Sequence, residues 1–203
     1  MFACLLQFEA QSTLAVADIT QLMDLGSYQG LLVAWTIRLA LLFMFATFVL
    51  RLLEPHGVQQ DGNVENEYSD SLDNAAKHAW LLGSFFSLLH GIATMLLIHR
   101  GSHLAAVEDT AQQTEALLGV AVGGGIYFNY VFVTVWLIDA LWWIASSSSY
   151  RSRSRWWNRL VYGYLVFIAI NGAIIFESGI VRWVALTGAV VLLGLVFRNK
   201  LRN

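Results

Sequence analysis

The strongest constraint on this chain is a series of long apolar stretches that almost no charge interrupts. A helix needs about 20 apolar residues to cross the hydrocarbon core of a bilayer. The first such stretch covers 31–53 and is broken only by Arg38 and Arg51. Four more follow, at 78–98, 117–144, 160–176 and 180–197. The third is long enough to tilt in the membrane. The last two are short and separated only by 177–179, so they read as a tight helical hairpin, with one bent or re-entrant pair as the alternative. The expected fold is all-α. It is a polytopic membrane bundle of about five transmembrane helices over 31–203, preceded by an external segment at 1–30.

Composition points the same way. Apolar residues make up 57% of the chain and charged residues 13%, against about 25% charged in a soluble domain. The net charge of −2 lacks the basic footprint of a nucleic-acid partner, and none is expected. Cys4 is the only cysteine, which excludes an intrachain disulfide, a cysteine metal cluster and covalent haem attachment through CxxCH. Pro55, the only proline, stands just beyond the first apolar stretch, where a helix should stop.

Direction follows from the basic residues. Arg151, Arg153, Arg155 and Arg159 lie between the third and fourth stretches, and Arg198, Lys200 and Arg202 follow the fifth. Such clusters stay on the cytoplasmic side, and two intervening spans make the two clusters consistent. Counting back puts the N-terminus outside and the C-terminus inside, in a multi-pass protein of the inner membrane. Within 1–30, Ala15, Ile19, Leu22 and Met23 recur at helical spacing opposite Asp18, Gln21 and Asp24, as in an amphipathic surface helix. Residues 55–74 are rich in Gly, Gln and acids and read as a mobile loop, and 146–154 as a serine–arginine linker. Trp136, Trp142 and Trp143 suit an interfacial belt, as do Trp156 and Trp157.

Ionisable groups inside hydrocarbon mark functional sites. Arg38, His90 and Asn129 fall about 10–14 Å from the outer boundary, and Asn171 about 9 Å, by helical rise. These four form an intramembrane polar layer, as a binding site or as interhelical hydrogen bonds that hold the bundle. Asp139 sits apart, near the inner boundary. If the second span continues as helix through Ala111, His99 and His103 share a face at a spacing that can chelate one divalent metal ion. Glu108, Asp109 or Glu177 could supply an oxygen ligand; the plain alternative is a pair of interfacial polar residues. Every histidine at membrane depth is on the second span, so haem held between facing helices is not expected. Gly123, Gly124 and Gly125 permit close backbone approach or a helix break.

The segment LLHGIATMLLIHRGSHLAAVEDTAQQTEALLGVAVGGGIYFNYVFVTVWLIDALWW (88–143) resembles a family of uncharacterised bacterial inner-membrane proteins. The resemblance rests on a histidine-rich helix (His90, His99, His103), on Thr110, Ala111 and Thr114, on Gly123 to Gly125 with Asn129 and Tyr130, and on Trp136 and Asp139. Ser178–Gly179 followed by Arg182–Trp183 is also similar. One departure is Arg100–Gly101, where the family has Gly-Trp, which weakens any aromatic role at Gly101. The resemblance implies the topology and no activity.

Three function classes remain. The first is a non-enzymatic accessory or structural subunit in contact with lipid and with other membrane subunits or a second copy. The second is a metal-binding or redox membrane enzyme using His99 and His103. The third is a small transporter or channel subunit, against which stand the small number of spans and the lack of an inverted repeat. No nucleophile with an adjacent base is visible, since Ser102 and His103 are neighbours that cannot face each other on a helix.

Overall fold

The computed structural model describes residues 28–53, 63–176 and 179–202. The amphipathic reading of the N-terminal segment falls almost wholly outside them. Among the described residues the regular secondary structure is all helical, with no strand. Helix α1 spans Tyr28–Leu53 and α2 spans Asn63–Ala93, extended by a π-helical turn at Thr94–Ile98. Helix α3 spans His103–Leu118 and α4 Gly125–Ala145, followed by the short α5 at Ser147–Ser152. Helix α6 spans Arg155–Ile170 with a second π-helical turn at Asn171–Phe176, and α7 spans Gly179–Arg202.

Three of these helices are long and apolar enough to cross a membrane: Tyr28–Leu53, Asp70–Ile98 and Gly125–Ala145. Helices α1 and α2 form the largest interface, and α4 packs on α2. Around them α6 contacts α4, and α7 contacts α1 and the end of α6. Small residues allow the central approach. A methyl group at Gly83 would lie 2.6 Å from Trp136 Cζ2 and 3.3 Å from the Ala40 carbonyl oxygen. Thr47 is fully buried, with Oγ1 donating to the Phe43 oxygen at 2.8 Å and to the Ala76 oxygen at 3.4 Å. Such small and hydroxyl-bearing positions bring helices together in apolar surroundings.

The core runs between α1, α2, α4 and α6 to the end where α4 meets α5. Trp80, Trp136, Trp143, Tyr150 and Leu165 are each almost wholly buried in it. Trp136 and Trp143 are therefore core residues and not members of an interfacial belt. Their rings pack on protein, Trp136 tilted against Trp80 at 5.1 Å and Trp143 stacked on Tyr150 at 4.8 Å. Trp156 and Trp157 are exposed.

Several boundaries differ from those expected. Part of the segment expected as a mobile loop is helical, because α2 begins at Asn63. The linker at 146–154 contains α5, capped by the Ser146 hydroxyl accepting from the Ser149 N–H. The second span does not continue as helix through Ala111. After the π-helical turn Arg100 and Gly101 take left-handed φ values of 52° and 76°, which end a helix. Ser102 then starts a new one, its side chain accepting from the Ala105 N–H. The third apolar stretch is also divided: Leu117 and Leu118 close α3, Gly119 is left-handed at φ 73°, and the membrane-length helix begins at Gly125. Gly123 permits the return, since a Cβ there would sit 2.7 Å from the Val107 carbonyl oxygen. Helix α3 is thus folded back against the start of α4.

Candidate functional site

Asp139 occupies the polar centre of the core. Spacing along α4 turns it toward α2 together with Trp136, Ala140 and Trp143, all on the buried stripe of that helix. Its carboxylate is 3% exposed and accepts three donors, one from α2 and two from α5 and its C-cap. Trp80 Nε1 of α2 donates to Oδ2 at 2.8 Å, and the Tyr150 hydroxyl of α5 donates to the same oxygen at 2.7 Å. Arg153, just past α5, donates from Nη1 to Oδ1 as a buried ion pair.

A second ring of groups extends this centre. The Tyr150 and Tyr162 hydroxyls share a hydrogen bond of 2.7 Å. Arg51, in the last turn of α1, donates from Nη1 to the Tyr162 hydroxyl at 2.5 Å and lies 4.7 Å above the Trp143 ring. Hydrogen bonds therefore run unbroken from α1 through α6 and α5 to the carboxylate on α4. Arg153 Nε and Nη2 are buried without a hydrogen-bond partner among the described residues. The guanidinium instead lies 3.8 Å from the Tyr150 ring centroid, and the ring's negative face takes the place of an acceptor. Asp73, buried on α2, pairs with Arg151 of α5 at 2.6 Å. Helix α5, only six residues long, is so fixed to both α2 and α4.

Burial raises the Tyr150 hydroxyl pKa well above its ordinary value, and the neighbouring Tyr162 and Asp139 raise it further. Burial is the largest single effect on Arg153 and lowers its pKa, but the bond to Asp139 and the charge interactions with Tyr150, Asp139 and Tyr162 together raise it above the ordinary value. The sign for stability follows. An unfolded tyrosine ionises near pH 10 while Tyr150 stays neutral in the fold. Its contribution is complete below that pH and declines above it, by up to about 1.4 kcal/mol per pH unit. Thermal unfolding in detergent between pH 7 and 11 should show this slope flattened in Tyr150→Phe. An unchanged slope would mean that Tyr150 ionises in the fold.

The residues expected as an outer polar layer have separate surroundings. His90 Nδ1 lies 3.0 Å from the Val33 carbonyl oxygen and 3.4 Å from Thr36 Oγ1, linking α2 to α1. Arg38 Nε is buried with no hydrogen-bond partner among the described residues, and its guanidinium lies 5.6 Å from the Trp35 ring centroid. Asn129 is exposed, and Asn171 donates to the Phe167 carbonyl of its own helix at 2.7 Å. Among the described residues no hydrogen bond joins any two of these four.

The break at Arg100–Gly101 also removes the helical register that would set His99 and His103 on one face. His99 Nε2 is 4.0 Å from Asp109 Oδ2. His103 lies between two phenols, Nδ1 at 3.1 Å from the Tyr130 hydroxyl and Nε2 at 3.2 Å from that of Tyr127. A metal ion on His103 would have to displace one of them. Among the described residues no three His, Cys, Asp or Glu side chains gather as a metal centre.

Of the central group, sequence reasoning identified only Asp139 as an intramembrane polar residue, and set it apart. Trp80, Tyr150, Tyr162, Arg51 and Arg153 were not connected with it. One signal was present: Asp139 is the only acid between 117 and 176, and four arginines follow it within 20 residues. Comparison with protein-family models, characterised proteins and solved structures gives no match.

Proposed function

We propose that the chain is a multi-pass protein of a bacterial inner membrane and acts as a non-enzymatic accessory or structural subunit. The observation that carries this reading is the saturation of Asp139. Three donors, one from α2 and two from α5 and its C-cap, close on a buried carboxylate, as in a clamp that fixes helix positions. The membrane setting is supported by the outward faces of the three long helices. Leu42, Phe85 and Ile138 are each more than half exposed, and soluble monomers seldom expose contiguous apolar patches beyond a few hundred Å². The resemblance of 88–143 to inner-membrane proteins supports the same location.

In this reading α6 with its π-helical turn and α7 are spans four and five, the N-terminus is outside and the C-terminus inside. The arginines of 151–159 and the basic C-terminal tail favour that arrangement. Reporter fusions at Ser148 and Asn203 should both report cytoplasm, and a translocated signal at either would overturn it. For the subunit role, native electrophoresis of membranes in mild detergent should find an assembly larger than the 22.7 kDa chain. A chain that migrates only as a monomer would refute it.

A further inference from the structure

Arg38 lies well inside a membrane-length helix, and among the described residues no carboxylate pairs with it. It stands about 15 Å along α1 from Tyr28 by helical rise, close to Thr36, which meets His90 of α2. Leu31, Trp35, Arg38 and Leu42 follow one another at intervals of four, three and four residues, and so form one stripe down the helix. The buried residues of α1, Thr36, Ala40, Met44 and Thr47, lie on its opposite side. Leu31, Trp35 and Leu42 are exposed. The stripe thus has the spacing with which one helix receives the side chains of another, and a cation stands within it.

We propose that this stripe docks a transmembrane helix of another protein, one that carries an aspartate or glutamate at the level of Arg38. The proposal rests on the accessory-subunit reading above and names the kind of partner. Charge complementarity selects the occupant, because an arginine inside a span is costly against lipid and pairs with an opposite charge. A second copy of this chain brings no acid to that level. Within the three long helices the acids are Asp70, Asp73 and Asp139. Asp73 and Asp139 already pair with Arg151 and Arg153, and Asp70 lies about 30 Å along α2 from His90. Glu108, Asp109 and Glu115 belong to α3, outside those helices, while α6 and α7 carry no acid. Snorkelling to a lipid phosphate serves arginines near helix ends, whereas the buried Nε holds Arg38 against the bundle.

The test compares native complexes from membranes that hold the parent, Arg38→Gln or Arg38→Lys. Arg38→Gln should weaken assembly roughly tenfold, the worth of one polar bond between helices in hydrocarbon. Arg38→Lys keeps the charge and should keep most of the assembly. Purified free of partners, the Arg38→Gln chain should unfold at the parent's temperature or above, since no pairing inside the chain is lost. A lower unfolding temperature would show that Arg38 pairs within its own chain, and would overturn the proposal. A photo-reactive benzoylphenylalanine in place of Leu42 then captures what lies on the stripe. The expected product is a membrane span with an Asp or Glu, whose replacement by Asn or Gln should reproduce the loss seen in Arg38→Gln. A span without such an acid, a second copy of the chain, or lipid alone would each overturn the proposal. The two readings fail differently. A parent that migrates only as a monomer refutes the subunit role and the docking with it, whereas an assembly undiminished in Arg38→Gln refutes only the docking at Arg38.

Discussion

Asp139→Asn is expected to cost about 3–5 kcal/mol of stability, the usual result of removing one partner from a buried ion pair. The loss comes from what remains. Arg153, whose side chain is 3% exposed, would keep its charge with no carboxylate beside it. Its Nε and Nη2 already lack hydrogen-bond partners among the described residues. Asparagine nearly preserves the shape of the side chain, so packing contributes little to the effect. The companion variant is Asp139→Leu with Arg153→Met, which removes both charges and should lose less than the single change, since apolar replacement of a whole buried pair is often neutral. Thermal unfolding in detergent measures both. An Asp139→Asn protein within about 1 kcal/mol of the parent would show that the pair is solvated and does not clamp the bundle.

Trp136→Ala should have a comparable effect for a different reason. The ring is fully buried, packs on Trp80 and on Phe132 at 5.4 Å, and closes over Gly83. Removing such a ring ordinarily costs about 3–5 kcal/mol. Trp136 Nε1 has no hydrogen-bond partner among the described residues, so the contribution is one of volume and contact. Trp136→Phe should therefore be much milder. Gly83→Leu alone should cost about 1–3 kcal/mol by overpacking, yet the Gly83→Leu, Trp136→Ala double variant should be more stable than the sum of the two. Strict additivity, read from the same unfolding curves, would mean that the two sites do not share one space.

These residues also show what the sequence made legible. Apolar length alone gave the helical class and located α1, α2 and α4, because no other pattern fits such stretches. It could not find the break after Ile98. His99, Arg100 and Gly101 lie in a region whose apolar and polar spacing is compatible with helix, and a left-handed arginine leaves no mark in composition. It also misplaced Trp136 and Trp143. Tryptophan near the end of an apolar helix suits an interface as well as a core, and only the fold of α5 and α6 over that end decides between them. The basic residues of the third connection were read for topology by their sum. Arg153 and Arg151 also serve individually as the partners of Asp139 and Asp73. The histidines drew attention because of their chemistry, whereas the tyrosines that complete the buried centre, Tyr150 and Tyr162, have no periodic signature.

The Asp139–Arg153 pair also bears on how such a chain is made. The two residues are 14 apart and Tyr150 is 11 from the aspartate, while Trp80 has been synthesised 59 residues before. A loop of about ten residues closes in roughly 10–100 ns, whereas a ribosome adds about 5–20 residues each second. The carboxylate at the end of α4 can therefore be neutralised as soon as its own connection has left the ribosome, before α6 is complete. Arg51 and Tyr162 join afterwards. A membrane-length helix that carries its own counter-ion in the next few turns of chain need not wait in the insertion machinery for a later span to supply one.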